Sequence, residues 1–271
     1  MRPRARRVGL AILSRSQVHF DVLAQWLIIL RGTYWPGPTF THRDLYPAEG
    51  RNVITEGALG RDDWDDLLWV DSDHLPSPAF IERLAEYPLS AELVVGTYFA
   101  REYPFKLQAW DSDPEREGLF DVHPARVDWL LDHPGLHEVA GGGTGWMLIR
   151  RSVLERLREL KGPGNVWEVK GLSPELRERL GLGLVLGEDV MFCTEARSLL
   201  GVQTWLDTDP RIESAHLGQL RVTRQEHRAA HFVALGAQGQ IDPAALAREG
   251  RAIELPANRA ERRALAKTTR A

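Results

Sequence analysis

Asp71 and Asp73 stand two residues apart, directly behind the apolar run Leu67-Leu68-Trp69-Val70. Residues two apart in an extended chain project to the same side. Two carboxylates held that close repel each other, and a hard divalent cation relieves the repulsion. A cation held there is able to bind a diphosphate in turn. The same residues, running through Ser72 into Leu75-Pro76-Ser77-Pro78, also suit a turn. A second acidic pair, Glu188-Asp189, follows Gly187 and opens a helical pattern with Val190, Phe192 and Cys193 on its apolar face. Carboxylates are favourable at a helix N-terminus, so this pair reads either as chemistry or as capping. Between the two pairs lies Ala140-Gly141-Gly142-Gly143-Thr144-Gly145, which runs into Trp146-Met147-Leu148-Ile149. Glycines there let the backbone approach a ligand closely, the alternative being a flexible linker. Arg51, early in another helical pattern, is placed either to reach a phosphate or to remain solvated.

These groups need elements to hold them. Val8–Leu13, Leu67–Val70, Leu93–Phe99, Trp146–Arg150 and Gln203–Leu206 read as short apolar strands. Helical patterns alternate with them: Ser16 to Leu30, Glu49 to Leu59, Ser77 to Glu86, Val153 to Leu160 and 189 to 199. That alternation predicts an α/β fold with a mostly parallel, mixed central sheet flanked by helices. Leu67–Val70 is apolar without alternation, as a strand buried on both faces is, which places it inside the sheet. Tyr34–Thr41, broken by Pro36 and Pro38, reads as an edge strand or loop. Tyr103–Trp110 reads as a further strand, and Arg211–His216 as extended. Residues 111–138 are rich in Pro, His and Asp and read as a loop over the site, with His123, His133 and His137 on the surface. Residues 161–187 read as irregular, and Asp62, Asp63, Asp65 and Asp66 as a solvated face.

Composition bounds the function. The chain has 271 residues, 43% hydrophobic and 27% charged, with a net charge of -4. Nothing in that balance suggests a nucleic-acid protein. Cys193 is the one cysteine, so no internal disulfide or Cys-rich zinc site is available. The apolar run after Arg2, Arg4, Arg6 and Arg7 is too short for a secretory signal. No stretch approaches the ~18 apolar residues of a membrane span, and the expected location is cytoplasmic. There is no Gly-x-Gly-x-x-Gly or Walker sequence.

Three stretches in order, Trp69–Asp73, Gly143–Arg151 and Glu188–Cys193 with His216 downstream, resemble a GT-A fold glycosyltransferase of the bacterial and phage nucleotide-sugar type. The resemblance spans roughly residues 8 to 218, and Arg51-Asn52 resembles an Arg-Asn pair of such proteins. It implies a GT-A-like single domain that transfers a sugar from a nucleoside-diphosphate sugar, a UDP-sugar above others, to an acceptor hydroxyl. It implies that Asp73 binds Mn²⁺ or Mg²⁺ directly and that His216 completes the metal site. Asp71 then lies on the ribose or on the metal through water, with Ser72 beside it. Asp189 of the acidic pair becomes the catalytic base, with Glu188 next to it. Gly143, Thr144, Gly145 and Trp146 line the donor pocket, and Ser14 and Arg15 lie near the nucleotide base. The acceptor is left open among a glycan, a lipid-linked molecule and a nucleic-acid base.

Two other readings stand beside this one: a nucleotidyltransferase that makes a sugar nucleotide, and a non-catalytic carbohydrate-binding protein. A dehalogenase-like phosphatase also uses Asp-x-Asp, but His74-Leu75 stand where its pattern needs Gly-Thr. The expected organisation is a catalytic domain over residues 1–218 and a helical, basic appendage over 219–271. From Asp242 onward seven basic residues face four acidic ones, a net charge of +3.

Overall fold

The computed structural model describes residues 7–14, 37–43, 46–77, 79–100, 106–111, 124–171, 185–217 and 221–223. The expected helix from Ser16 to Leu30 lies outside them, as do Arg15 and residues 224–271. The chain divides into two compact units, one of residues 1–97 and 108–214, the other of residues 98–107 and 215–271.

The first unit carries the sheet. Its described strands are β1 (Val8–Ser14), β2 (Thr39–Arg43), β3 (Asp66–Asp71), β4 (His74–Pro76), β5 (Leu93–Gly96), β6 (Ala109–Trp110), β7 (Leu136–Val139), β8 (Gly141–Gly142), β9 (Trp146–Arg150), β10 (Lys170–Gly171), β11 (Val185–Leu186) and β12 (Thr204–Asp207). Its described helices are α1 (Pro47–Leu59), α2 (Phe80–Glu86), α3 (Pro124–Asp132), α4 (Arg151–Lys161) and α5 (Glu188–Leu200). Seven strands form one sheet in the order β2-β1-β3-β9-β5-β12-β7. The β1–β2, β1–β3 and β5–β12 pairs are parallel, while β9 and β7 run against their neighbours. The fold is therefore α/β with a mostly parallel mixed sheet, and Leu67–Val70 lies inside it. All four of those residues are buried, as a strand covered on both faces requires.

The parallel strands β1, β3, β5 and β12 end at Ser14, Asp71, Gly96 and Asp207, on the edge where open α/β sheets bind ligands. Because β9 is antiparallel, it begins on that same edge, so the Gly143–Gly145 turn lies beside the end of β3. The Asp71 N–H meets the Gly145 carbonyl at 3.4 Å. Helix α1 starts with Pro47 at its first position and Glu49 in its first turn, both favourable there. Helix α5 opens on Glu188 and Asp189 and closes on Gly201, whose φ of 68° is the left-handed conformation a glycine adopts most readily.

Three local expectations are corrected. Residues 111–138, expected as a loop, supply helix α3 and edge strand β7; Pro124 opens the helix and Val127, Leu130 and Leu131 bury its inner face. Asp66, expected on a solvated face, starts β3 fully buried and pairs with Arg150 at 2.9 Å. The stretch from Arg211, expected as extended, begins inside a 3-10 turn (Pro210–Ile212) and is extended only from Ser214.

In the second unit, residues 215–217 of β13 (Ser214–Leu217) pair antiparallel with β14 (Arg221–Val222). Phe99 bridges Leu107 in the same unit. His216 Nδ1 lies 2.9 Å from the Phe99 carbonyl, and the ring meets Tyr98 edge-on at 6.1 Å. Among the described residues, no helix is long and apolar enough to cross a membrane.

Candidate active site

The site is built around the buried guanidinium of Arg51, in the second turn of α1. Its Nη2 donates to Asp71 Oδ1 at 3.0 Å and to Thr144 Oγ1, and its Nε donates to Glu188 Oε1 at 3.3 Å. One side chain thus collects the end of β3, the glycine-rich turn and the start of α5. The guanidinium also lies over the rings of Trp69 and Trp167, 5.3 and 5.6 Å from their centroids, within cation–π range. Burial opposes the charge, but Asp71 and Glu188 outweigh it and hold Arg51 above its ordinary value. Nη1 is buried without a hydrogen-bond partner among the described residues.

Asp189 follows Glu188 in the chain and makes a different contact. Its Oδ1 accepts the N–H of Val190 at 2.8 Å. Burial first, and the neighbouring Glu188 second, push its carboxyl up to about 6 against the weaker opposing pull of Arg51. A carboxyl tuned toward neutrality is what a general base needs. Cys193, one turn later, is fully buried and its thiol is pushed up to about 12, chiefly by that burial, which makes it inert.

The remaining expected site residues divide. Ser72 and Asp73 form the turn after β3, and Asp73 Oδ1 lies 3.1 Å from Nδ1 of the buried His74. Ser14 ends β1 and is buried. Trp146 is core: it pairs with Val70 in register, and a Cβ at Gly96 would come within 2.8 Å of its ring. Gly141 and Gly142 serve packing, because a Cβ at Gly142 would stand 2.6 Å from Val95 Cγ2 and one at Gly141 2.5 Å from Trp110 Nε1.

Trp167 was not singled out by the sequence, since it sits in the irregular stretch after α4. Asn52 holds its backbone from both sides, Nδ2 to the Trp167 carbonyl at 2.8 Å and Trp167 N–H to Oδ1 at 2.9 Å. Its indole donates to Thr55 Oγ1 at 3.0 Å and stacks on Phe192 with centroids 4.2 Å apart. The local signal was Asn52 itself, a polar residue beside Arg51 in a helix that packs on the sheet.

No protein-family model matches the chain, and no curated protein matches it. Among solved structures it is similar to A197 from STIV, at 16% identity over 81% of this chain and 91% of that one, with a TM-score of 0.53. That likeness shows a shared fold. It is also similar to GalNAc-T7 solved with UDP, GalNAc and Mn²⁺, at 10% identity and a TM-score of 0.45, over 85% of this chain and 48% of that one. The inositol-1-phosphate CTP transferase from T. maritima aligns at 10% identity and a TM-score of 0.39, over 76% of this chain and 91% of that one.

Proposed function

We propose that the protein is a metal-dependent glycosyltransferase, moving a sugar from a nucleoside-diphosphate sugar, with UDP-sugars favoured, to an acceptor hydroxyl. The observation that carries this reading is the convergence of Asp71, Thr144 and Glu188 on Arg51. They come from the three separate stretches on which the sequence resemblance rests.

In the first unit Asp71 and Asp73 offer the hard oxygens that a divalent cation takes. The sequence resemblance assigns His216 as a further ligand, and an imidazole suits Mn²⁺ better than Mg²⁺. The contact from His216 Nδ1 to the Phe99 carbonyl makes Nδ1 the protonated nitrogen and leaves Nε2 with the lone pair a metal takes. His74 against Asp73 is the kind of outer contact that orients a ligating carboxylate. A cation bound there supplies Lewis-acid stabilisation of the departing diphosphate. Asp189 takes the proton of the acceptor hydroxyl as it attacks the anomeric carbon. Thr144 and Gly145 would shape the donor pocket and Ser14, at the end of β1, would lie near the nucleotide base; Arg15, which the resemblance puts beside it, lies outside the described residues.

A thermal-shift panel of nucleotide sugars with Mn²⁺ tests the reading. A donor at 100 times its dissociation constant stabilises by about 2.7 kcal/mol, and the Mn²⁺-dependent part of that gain is expected to vanish in Asp73→Asn. No shift with any nucleotide sugar refutes a donor site. Consumption that depends on pyrophosphate reassigns the protein to nucleotidyl transfer.

A further inference from the structure

Neighbouring carboxylates at the start of a helix have similar intrinsic chemistry, so something outside the pair must give them different tasks. Glu188 Oε1 receives Arg51 Nε at 3.3 Å, whereas among the described residues Asp189 receives a backbone N–H alone. Arg51 is fixed independently of Glu188 by Asp71 and Thr144, and by the two indoles beneath it. Those indoles are themselves buried and braced, Trp167 by Asn52 and Thr55. The guanidinium therefore holds a preset position, and Glu188 comes to it.

We infer that Arg51 is the positioning residue that divides the acidic pair: it commits Glu188 to a salt bridge and leaves Asp189 as the carboxylate that exchanges a proton. The inference rests on the proposal that Asp189 is the base. Among the described residues the charged and titratable groups around Asp189 are Glu188 and Cys193 on its own helix, Arg51 on α1 and Asp71 at the end of β3. Glu188 and Asp71 disfavour the ionised form of Asp189, and Arg51 is the cation that offsets them.

The test is a carboxyl NMR titration of the full chain, labelled with ¹³C at the Asp side chains, the Asp189 signal being assigned with Asp189→Asn. In Arg51→Met the Asp189 midpoint is expected to move up by about one pH unit, the low end for loss of a nearby opposite charge. Arg51→Lys retains the charge and is expected to restore most of the shift. Glu188→Gln removes a like charge and is expected to move the midpoint down. If Arg51→Met does not fold, Arg51→Lys and Glu188→Gln decide the matter alone. A role for Arg51 in stability only would lower the melting temperature in Arg51→Met and leave the Asp189 midpoint in place. That outcome, or an unmoved midpoint in Glu188→Gln, overturns the inference. Turnover in Asp189→Asn reads the base assignment separately: normal turnover there refutes the base while leaving the titration result standing.

Discussion

Arg51 Nη2 and Asp71 Oδ1 lie 3.0 Å apart and join helix α1 to the end of the buried strand β3. Asp71 is one-third exposed on its side chain, Glu188 about half that, and Arg51 is almost wholly enclosed. Removing the cation leaves two carboxylates that are able to recover part of their hydration. Arg51→Ala is therefore expected to cost roughly 3 kcal/mol in urea unfolding, the low end for breaking a buried pair. A loss below about 1 kcal/mol would place the pair among ordinary surface salt bridges.

Asp207 ends β12 with no exposed surface and gathers Arg83 at 2.7 Å, the Tyr87 hydroxyl at 2.7 Å and the Asp209 N–H at 2.9 Å. Asp207→Asn keeps the shape but leaves the Arg83 guanidinium without its enclosed counter-charge. The expected loss is about 3 kcal/mol, measured as a lower urea midpoint with the slope unchanged. An unchanged midpoint would show that Glu86, 2.9 Å from Arg83, is sufficient alone.

Gly142→Ala drives a methyl to 2.6 Å from Val95 Cγ2 inside the sheet. Overpacking of this kind costs about 1–3 kcal/mol. The double variant Gly142→Ala with Val95→Ala is expected to recover part of that loss, since contacting sites are non-additive. If the two losses simply add, Gly142 is not limited by Val95.

Asp189 titrates in the folded protein at about 6, above the ordinary 3.8. The folded state thus holds a proton, between these two values, that the unfolded chain has released. This contribution to stability is complete below the ordinary value and is lost as pH rises through about 6. At about pH 7 the ionised Asp189 is a burden of up to about 3 kcal/mol. Asp189→Asn is expected to raise the melting temperature there and to match wild type at about pH 4. A lower melting temperature at neutral pH would mean that Asp189 acts as a helix cap, worth about 1 kcal/mol.

The sheet was legible in the sequence because its strands are continuous apolar runs, Leu67–Val70 above all, whose burial on both faces leaves no polar alternation. Helix α1, the span of α5 and the placing of Asp71 at the sheet's ligand edge follow from equally local signals. What escaped was long-range. Asp66 pairs with a residue 84 positions away, and nothing near it distinguishes it from the solvated Asp63. Trp167 takes its place from Asn52, 115 positions away. The 111–138 stretch hid α3 because its His and Asp content masks a short stripe of Val127, Leu130 and Leu131. The candidate site was legible as three stretches. That Arg51 is the residue on which they meet depends on the packing of α1 against β1, β2 and α4.

Release of nucleoside diphosphate from a panel of nucleotide sugars, followed with Mn²⁺ in wild type and Asp189→Asn, decides whether the protein transfers sugar with Asp189 as its base. Wild type is expected to release it from at least one donor. Asp189→Asn is expected to slow that release by ~10²–10⁴ with the donor-induced thermal shift unchanged. No release by wild type from any donor would rule out sugar transfer, and equal rates in the two proteins would rule out Asp189 as the base.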